Sequence, residues 1–298
     1  MTVLLPHVAT LITAGALAEG TIARARDALS GAGAPQRLGP DAADIPFTAD
    51  NAFDQRGLAA RLRTHLDGAV DVVVQPAANR RKKLFLADMD STMIGQECID
   101  ELADYAGLKA YVAAITDRAM RGEIAFEPAL RERVSLLKGI PLSVIDDVFD
   151  KRITITPGAR ALVSTMRAHG AFTCLVSGGF TLFTNRVAGM IGFDATRANR
   201  LEVAGETLAG TVIEPIFGRE SKLAALHELR AARGLAPDDT LVTGDGANDL
   251  AMIAEAGLGV AYHAKPAVAE AAAARIDHGD LTALLYAQGY RSEEFVEN

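Results

Sequence analysis

The stretch Leu84-Phe85-Leu86-Ala87-Asp88-Met89-Asp90-Ser91-Thr92 decides how the rest of this chain is read. Four consecutive apolar residues make a strand with no polar face, the mark of a strand covered on both sides. It delivers Asp88 and Asp90 at its carboxyl end. In extended geometry residues two apart point the same way, although a turn directly after the strand can redirect the second. Asp, Ser and Thr also serve as turn and N-cap residues, so this stretch alone leaves chemistry and capping both open.

Working outward, apolar runs over 171–176, 240–243 and 258–261 repeat the pattern and alternate with helical stretches. Continuous apolar strands alternating with helices predict a parallel sheet with helices on both faces, which binds ligands beyond the carboxyl ends of its strands. One of those ends reads Thr240-Leu241-Val242-Thr243-Gly244-Asp245-Gly246-Ala247-Asn248-Asp249, again carboxylates among small residues. Two strand ends bearing Asp suit Mg2+, a hard cation that takes oxygen ligands and only one or two carboxylates. A calcium loop would need alternating ligands and a distant Glu, which the spacing lacks.

Two further pieces fit an anion. Val176-Ser177-Gly178-Gly179-Phe180 follows a strand and is expected to open a helix, offering a hydroxyl and backbone N–H groups. Ser221-Lys222 opens a helix running to Arg233, an unfavourable end of the helix dipole for a cation. Each of these is weak alone, since most such turns bind nothing and most lysines are solvated.

The texture changes over residues 75–83, where a Pro- and Asn-containing stretch ends in Arg80-Arg81-Lys82-Lys83, and a domain boundary is placed there. Residues 1–78 read as a strand over 2–5, a helix over 15–30, short extended pieces near Gln36 and Ile45, a helix over 53–66 and a strand over 69–74. That βαββαβ order predicts a small α+β domain. Residues 79–298 form the second domain, with a charged, Ala- and Leu-rich helical insertion over about 93–151 expected to sit as a cap above the sheet. Residues 199–213 read as a β-hairpin around Ala204-Gly205-Glu206.

Composition narrows the partners. Among the 298 residues, 38 acids against 30 Lys and Arg leave a formal charge of −8, which disfavours nucleic acid and anionic membrane. The only cysteines, Cys98 and Cys174, cannot form a disulfide framework, so a cytoplasmic setting is expected. The apolar run over 8–18 lacks a preceding basic region and is too short to span a bilayer, so neither a signal peptide nor a membrane helix is read.

Taken jointly, the order Asp-x-Asp-x-Thr, Ser, Lys, Gly-Asp-Gly-x-Asn-Asp resembles the four motifs of the haloacid-dehalogenase (HAD) superfamily. Glu97 and the segment Phe126-Glu127-Pro128-Ala129-Leu130-Arg131-Glu132-Arg133 are similar to its phosphoserine phosphatase branch. The likeness covers about residues 83–279, while the first 80 resemble the regulatory ACT modules only loosely. It implies a HAD-like Rossmannoid sheet with a helical cap, behind an ACT-like domain. It also implies hydrolysis of O-phosphoserine, the last step of serine biosynthesis, by way of an aspartyl-phosphate.

By that resemblance Asp88 is the nucleophile and Asp90 the general acid and base. Asp88, Asp245 and the main-chain carbonyl of Asp90 hold Mg2+, with Asp249 supporting them from behind. Ser177, Gly178, Lys222 and Asn248 contact the phosphoryl group, Glu97 the substrate amine and Arg133 its carboxylate. Phe126, Met89 and the two cysteines are read as packing. Since every matched residue follows residue 83, the first 80 are expected to be dispensable for chemistry, with a homodimer through the small domain's sheet edge. A dehalogenase would not need Asp90, and a P-type ATPase would need membrane helices. A phosphotransferase from phosphoserine to another alcohol, or a serine sensor with a vestigial site, are the alternatives kept.

Overall fold

The computed structural model describes residues 7–49, 53–120 and 123–296, in two β-sheets and twelve α-helices. The strand expected over 2–5 lies outside the described residues. The first described strand is β1 (His7–Ile12), followed by α1 (Glu19–Asp27), β2 (Gln36–Arg37), β3 (Ala42–Phe47), α2 (Gln55–His65) and β4 (Asp71–Pro76). These strands form an antiparallel sheet in the order β2-β3-β1-β4, with β1 paired to β3 and β4 on its two sides. Helices α1 and α2 bury Ile22, Ala25, Ala59 and Leu62 against Leu11, Ile45 and Val72 in a core of their own. A βαββαβ order is therefore present from His7 onward, with its first strand over His7–Ile12, where the sequence reading placed none.

The second sheet has seven strands in the order β11-β10-β9-β5-β6-β7-β8. They are β5 (Leu84–Ala87), β6 (Phe172–Phe180), β7 (Ala195–Ala204), β8 (Thr207–Ile213), β9 (Thr240–Gly244), β10 (Leu258–Tyr262) and β11 (Ala274–Ile276). All neighbours are parallel except β7 and β8, which form the hairpin expected around Gly205. Leu84 to Ala87 are wholly buried because one face packs on the large core and the other on a second core. That second core carries α9 (Arg219–Ala232), α10 (Leu250–Glu255) and α11 (Pro266–Ala271). Burial on both faces is what a strand with no polar face requires.

Between β5 and β6 come α3 (Cys98–Tyr105), α4 (Lys109–Met120), α5 (Phe126–Leu136), α6 (Leu142–Arg152) and α7 (Ala159–Ala168). The first four make up the insertion, whose two chain ends are clipped together by Gly95 N–H to Thr154 O at 3.1 Å and Thr156 N–H to Met93 O at 3.0 Å. Helix α8 (Thr181–Ile191) follows β6, and α12 (Ala283–Ala287) closes the chain against the N-terminal sheet.

The basic run over 80–83 is not a solvated linker. Arg80 forms a fork with both carboxylate oxygens of buried Asp44 and donates to the Tyr286 and Ala287 carbonyls. Arg81 pairs with Glu294 and lies over the Tyr290 ring, Lys82 donates to the Asn79 and Asp238 carbonyls, and Lys83 pairs with Asp239. Sequence texture marks a charge run but cannot show that each charge has a partner contributed by distant residues.

Candidate active site

The order of the sheet explains why the two acidic strand ends meet. The chain leaves β5 toward β6 on one side and later returns to place β9 on the other, so the sheet's direction of winding reverses between β5 and β9. Clefts form at such switch points. Ala87 and Thr243 are partners in the β5–β9 ladder, and Asp88 N–H extends it by donating to Thr243 O at 3.0 Å. Asp88 and Asp245 therefore emerge one and two residues beyond a paired position. Oxygens of Asp88, Asp245 and Asp249 lie within 4.8 Å of one another, and all three residues are buried.

Asp90 is carried differently. After Asp88 the chain makes a short helical turn, Met89–Met93, kinked by Asp90 in extended conformation and Ser91 in the left-handed region at φ 53°. This turns Asp90 away from the cluster. Its Oδ1 accepts Cys98 N–H at 3.0 Å, at the start of α3, and its Oδ2 accepts the Ser177 hydroxyl at 3.2 Å. Burial, reinforced by the negative charge of Glu97, lifts its pKa to about 6. Ser91 Oγ donates to Glu97 Oε1 at 2.7 Å, fixing Glu97 over the same turn.

Ser177 and Gly178 belong to the end of β6, not to a helix start as the sequence reading expected. The strand runs to Phe180, with its register against β7 broken between Val176 and Phe180, and α8 begins only at Thr181. The broken register frees the ends of this stretch to face the cavity. Gly179 N–H donates to Ser177 Oγ at 2.8 Å. A Cβ on Gly179 would lie 2.8 Å from Asp90 Oδ2, so only glycine lets β6 approach that closely.

Lys222, in the first turn of α9, is fully buried with Nζ 2.7 Å from Asp88 Oδ1 and 2.7 Å from Asp249 Oδ1. Burial alone would lower its pKa, but Asp249 and Asp88 overcome that and raise it, so the lysine stays charged. This answers the helix-dipole objection, since two carboxylates outweigh a half-charge at the helix end. Asp249 is doubly engaged, accepting Lys222 at Oδ1 and Gly246 N–H at Oδ2, 3.1 Å. A Cβ on Gly244 would come within 2.4 Å of the Asp249 carboxylate, a second place where a side chain cannot fit.

Burial pushes the Asp88 carboxyl well above the usual range, helped by Asp249 and opposed by Lys222. Asp245, which accepts the Thr92 hydroxyl at 3.3 Å, is pushed up to about 6 by burial, then by Asp249 and Glu97. Asp88 and Asp249 share Lys222, while Asp245 has the Thr92 hydroxyl and the more distant charge of Lys265. Asp88 Oδ1 meets Lys222 at 2.7 Å and no other donor among the described residues reaches it, so this buried oxygen keeps a lone pair for a ligand. Such a donor set suits a divalent cation.

A cavity of about 130 Å³ opens above these groups, lined among others by Asp88, Asp90, Asp245, Asn248, Glu97 and Arg133. Arg133, on α5, is held by its own Ala129 carbonyl at 3.3 Å and Thr116 Oγ1 at 3.4 Å, and burial lowers its pKa. Among the described residues no carboxylate lies within ion-pair distance of it. Phe126, read as packing, is 37% exposed and its ring edges the cavity beside Gly178 and Gly218. Met89, Cys98 and Cys174 are buried as expected, and burial raises both thiol pKa values, that of Cys174 to about 11.

Every residue given a catalytic, metal or substrate role in the sequence is thus brought to one cavity or to the groups beneath it. Lys265 also lines the cavity and was missed. Its signal was present, since His263-Ala264-Lys265 follows the apolar run over 258–261, one of the strand ends at which ligands bind.

The chain belongs to the haloacid dehalogenase-like hydrolase family, whose model matches residues 85–254. Within that class it is 48% identical over 208 residues to a phosphoserine phosphatase from Polaromonas sp., an overlap of 68% of this chain and 88% of that one. A crystal structure of a HAD family hydrolase from Salmonella enterica serovar Typhi superposes with a TM-score of 0.83 at 27% identity, covering 94% of this chain and 98% of that one. A substrate-bound phosphoserine phosphatase structure superposes at 0.64 with 39% identity, covering 69% of this chain and 97% of that one. The likeness to the Salmonella structure takes in the N-terminal sheet, and the other two are confined to about two thirds of the chain.

Proposed function

We infer that this chain is a phosphoserine phosphatase, hydrolysing O-phospho-L-serine to serine and phosphate. The observation that carries the reading is the meeting, in one cavity, of Asp88, backed by buried Lys222, with Glu97 and Arg133. The first pair suits phosphoryl transfer and the second an α-amino acid.

Asp88 attacks phosphorus in line, the serine oxygen leaves, and an aspartyl-phosphate results. Asp90, partly protonated near neutrality, gives its proton to the departing oxygen and then takes one from the water that cleaves the acyl phosphate. Lys222 and the Ser177 hydroxyl hold the transferring oxygens, with the Gly178 N–H and Asn248 beside them. Glu97 meets the substrate ammonium and Arg133 its carboxylate, for which a planar fork is the matching shape. We assign Mg2+ to Asp88, Asp245 and the Asp90 carbonyl, with Asp249 tying Lys222 to Gly246 behind them; when bound, it would supply charge neutralisation at the phosphate. The two-domain division at residues 78–79, the cytoplasmic setting and a homodimer complete the reading. No described helix is long and apolar enough to cross a membrane.

Phosphate release from a panel of phosphorylated metabolites, with and without Mg2+ and with free serine counted alongside, tests this function. Phosphoserine is expected to be preferred, with equal phosphate and serine. Serine in excess of phosphate when other alcohols are added would favour a phosphotransferase.

A further inference from the structure

The seam between the two sheets holds a buried acid for which the proposed chemistry has no use. Asp71, at the start of β4, is fully buried. Its Oδ1 accepts Asp277 N–H at 2.7 Å, and its Oδ2 accepts His278 N–H at 3.1 Å and Gly279 N–H at 2.8 Å. Three charge-assisted bonds from one carboxylate pin this segment to the N-terminal sheet. Gly279 passes the constraint on, since its carbonyl accepts His263 Nε2–H at 2.9 Å while His263 N–H donates to Ile276 O at 2.8 Å. His263 sits in the left-handed region at φ 43°, in the turn that leaves β10. Two residues later Lys265 N–H donates to the Asp245 carbonyl at 3.2 Å, and Lys265 lines the cavity. The following residues also buttress the return from the helical insertion, with Leu281 N–H donating to Pro157 O at 3.1 Å.

We propose that Asp71 is a positioning residue for phosphoryl transfer, acting through residues 277–279 and His263 on the turn that holds the Asp245 backbone and places Lys265 at the site. The proposal rests on the function inferred above. It makes the N-terminal sheet part of the working enzyme, against the expectation from sequence that the first 80 residues are dispensable for chemistry. The contiguous hydrogen bonds supply the physical link that such coupling requires.

The full-length chain is used for the test. Asp71→Asn keeps the shape but turns an amide NH2 toward backbone N–H donors. Its kcat is expected to fall roughly three- to thirtyfold, by the same factor on phosphoserine and on a small aryl phosphate, with KM little changed. The rise in melting temperature produced by Mg2+ is expected to shrink. His263→Asn, exposed and at ease with positive φ but too short for Gly279, is expected to move both readouts the same way, and decides the matter should Asp71→Asn not fold. Because both variants cut one path, the double variant is expected to lose no more than the worse single one. Tyr286→Phe removes the hydroxyl contacts with Asp41 and Ser292 in the same seam, and is expected to lower melting temperature with kcat unchanged. A folded Asp71→Asn or His263→Asn with kcat and Mg2+ response like the parent's would overturn the proposal, as would losses that multiply in the double variant. Failure of the parent itself to hydrolyse phosphoserine would instead remove the function on which the proposal rests.

Discussion

Lys222 Nζ lies 2.7 Å from Asp88 Oδ1 with both side chains buried, so the group read as nucleophile and the group read as phosphate clamp are already paired before any substrate arrives. The pair keeps Asp88 from carrying an uncompensated buried charge, and Asp249 on the far side of Lys222 keeps the lysine in place. Substrate phosphate would compete with Asp88 for the same ammonium.

Lys222→Met is expected to abolish turnover and also to destabilise the fold. Breaking a buried pair while leaving its partners charged costs about 3–5 kcal/mol, and here two carboxylates would be stranded. Urea unfolding of the metal-free protein measures the loss. A variant of unchanged stability would mean that Asp88 and Asp249 take up protons without strain.

Chelation is expected to stop phosphate release and Mg2+ to restore it, whereas Ca2+ is expected to inhibit. A larger ion accepts more ligands and lets both Asp88 oxygens coordinate, which leaves no oxygen free to attack. Titrating each ion into chelated enzyme decides the point, and full turnover in Ca2+ alone would contradict the assignment.

Arg133→Ala is expected to be selective for the amino-acid end of the substrate. Arg133 is half-buried, gives one N–H each to the Ala129 carbonyl and Thr116 Oγ1, and meets no carboxylate among the described residues, so its charge is left for a ligand carboxylate. Losing one partner of a desolvated pair costs on the order of 2–5 kcal/mol, a fall in kcat/KM for phosphoserine of roughly 30- to 5000-fold. A small aryl phosphate has no such carboxylate and is expected to change by less than about threefold. Lysine at this position is expected to restore only part of the activity, because a point charge does not reproduce the fork. Equal losses on both substrates would make Arg133 structural.

How far the site was legible follows from what each residue depends on. Asp88 and Asp245 stand directly after strands whose apolar runs are continuous in sequence, so pattern alone brings them together, and Asp249 follows at the start of α10. Apart from the family resemblance, Lys222 was legible as an oddity, a cation at the wrong end of a helix, because the carboxylates that justify it come from two other elements. The helix expected at Ser177 was wrong by four residues, since a broken β6–β7 register leaves no local signal and Gly-Gly reads equally well as a turn. The seam was opaque for the same reason. Asp71 and Arg80 look like ordinary surface charges until residues some 200 positions away supply their partners. Of the fold, the short β11 passed unnoticed, three residues being too few to show a period.

The covalent intermediate is expected to form on Asp88. Acid quenching of the enzyme during turnover of phosphoserine, followed by borohydride reduction and mass spectrometry, locates any acyl phosphate by converting the modified aspartate to homoserine. Conversion at Asp88 alone is expected, and none in Asp88→Asn, which should remain folded but inert. Reduction at a different carboxylate, or steady turnover by the folded Asp88→Asn variant, would contradict the account.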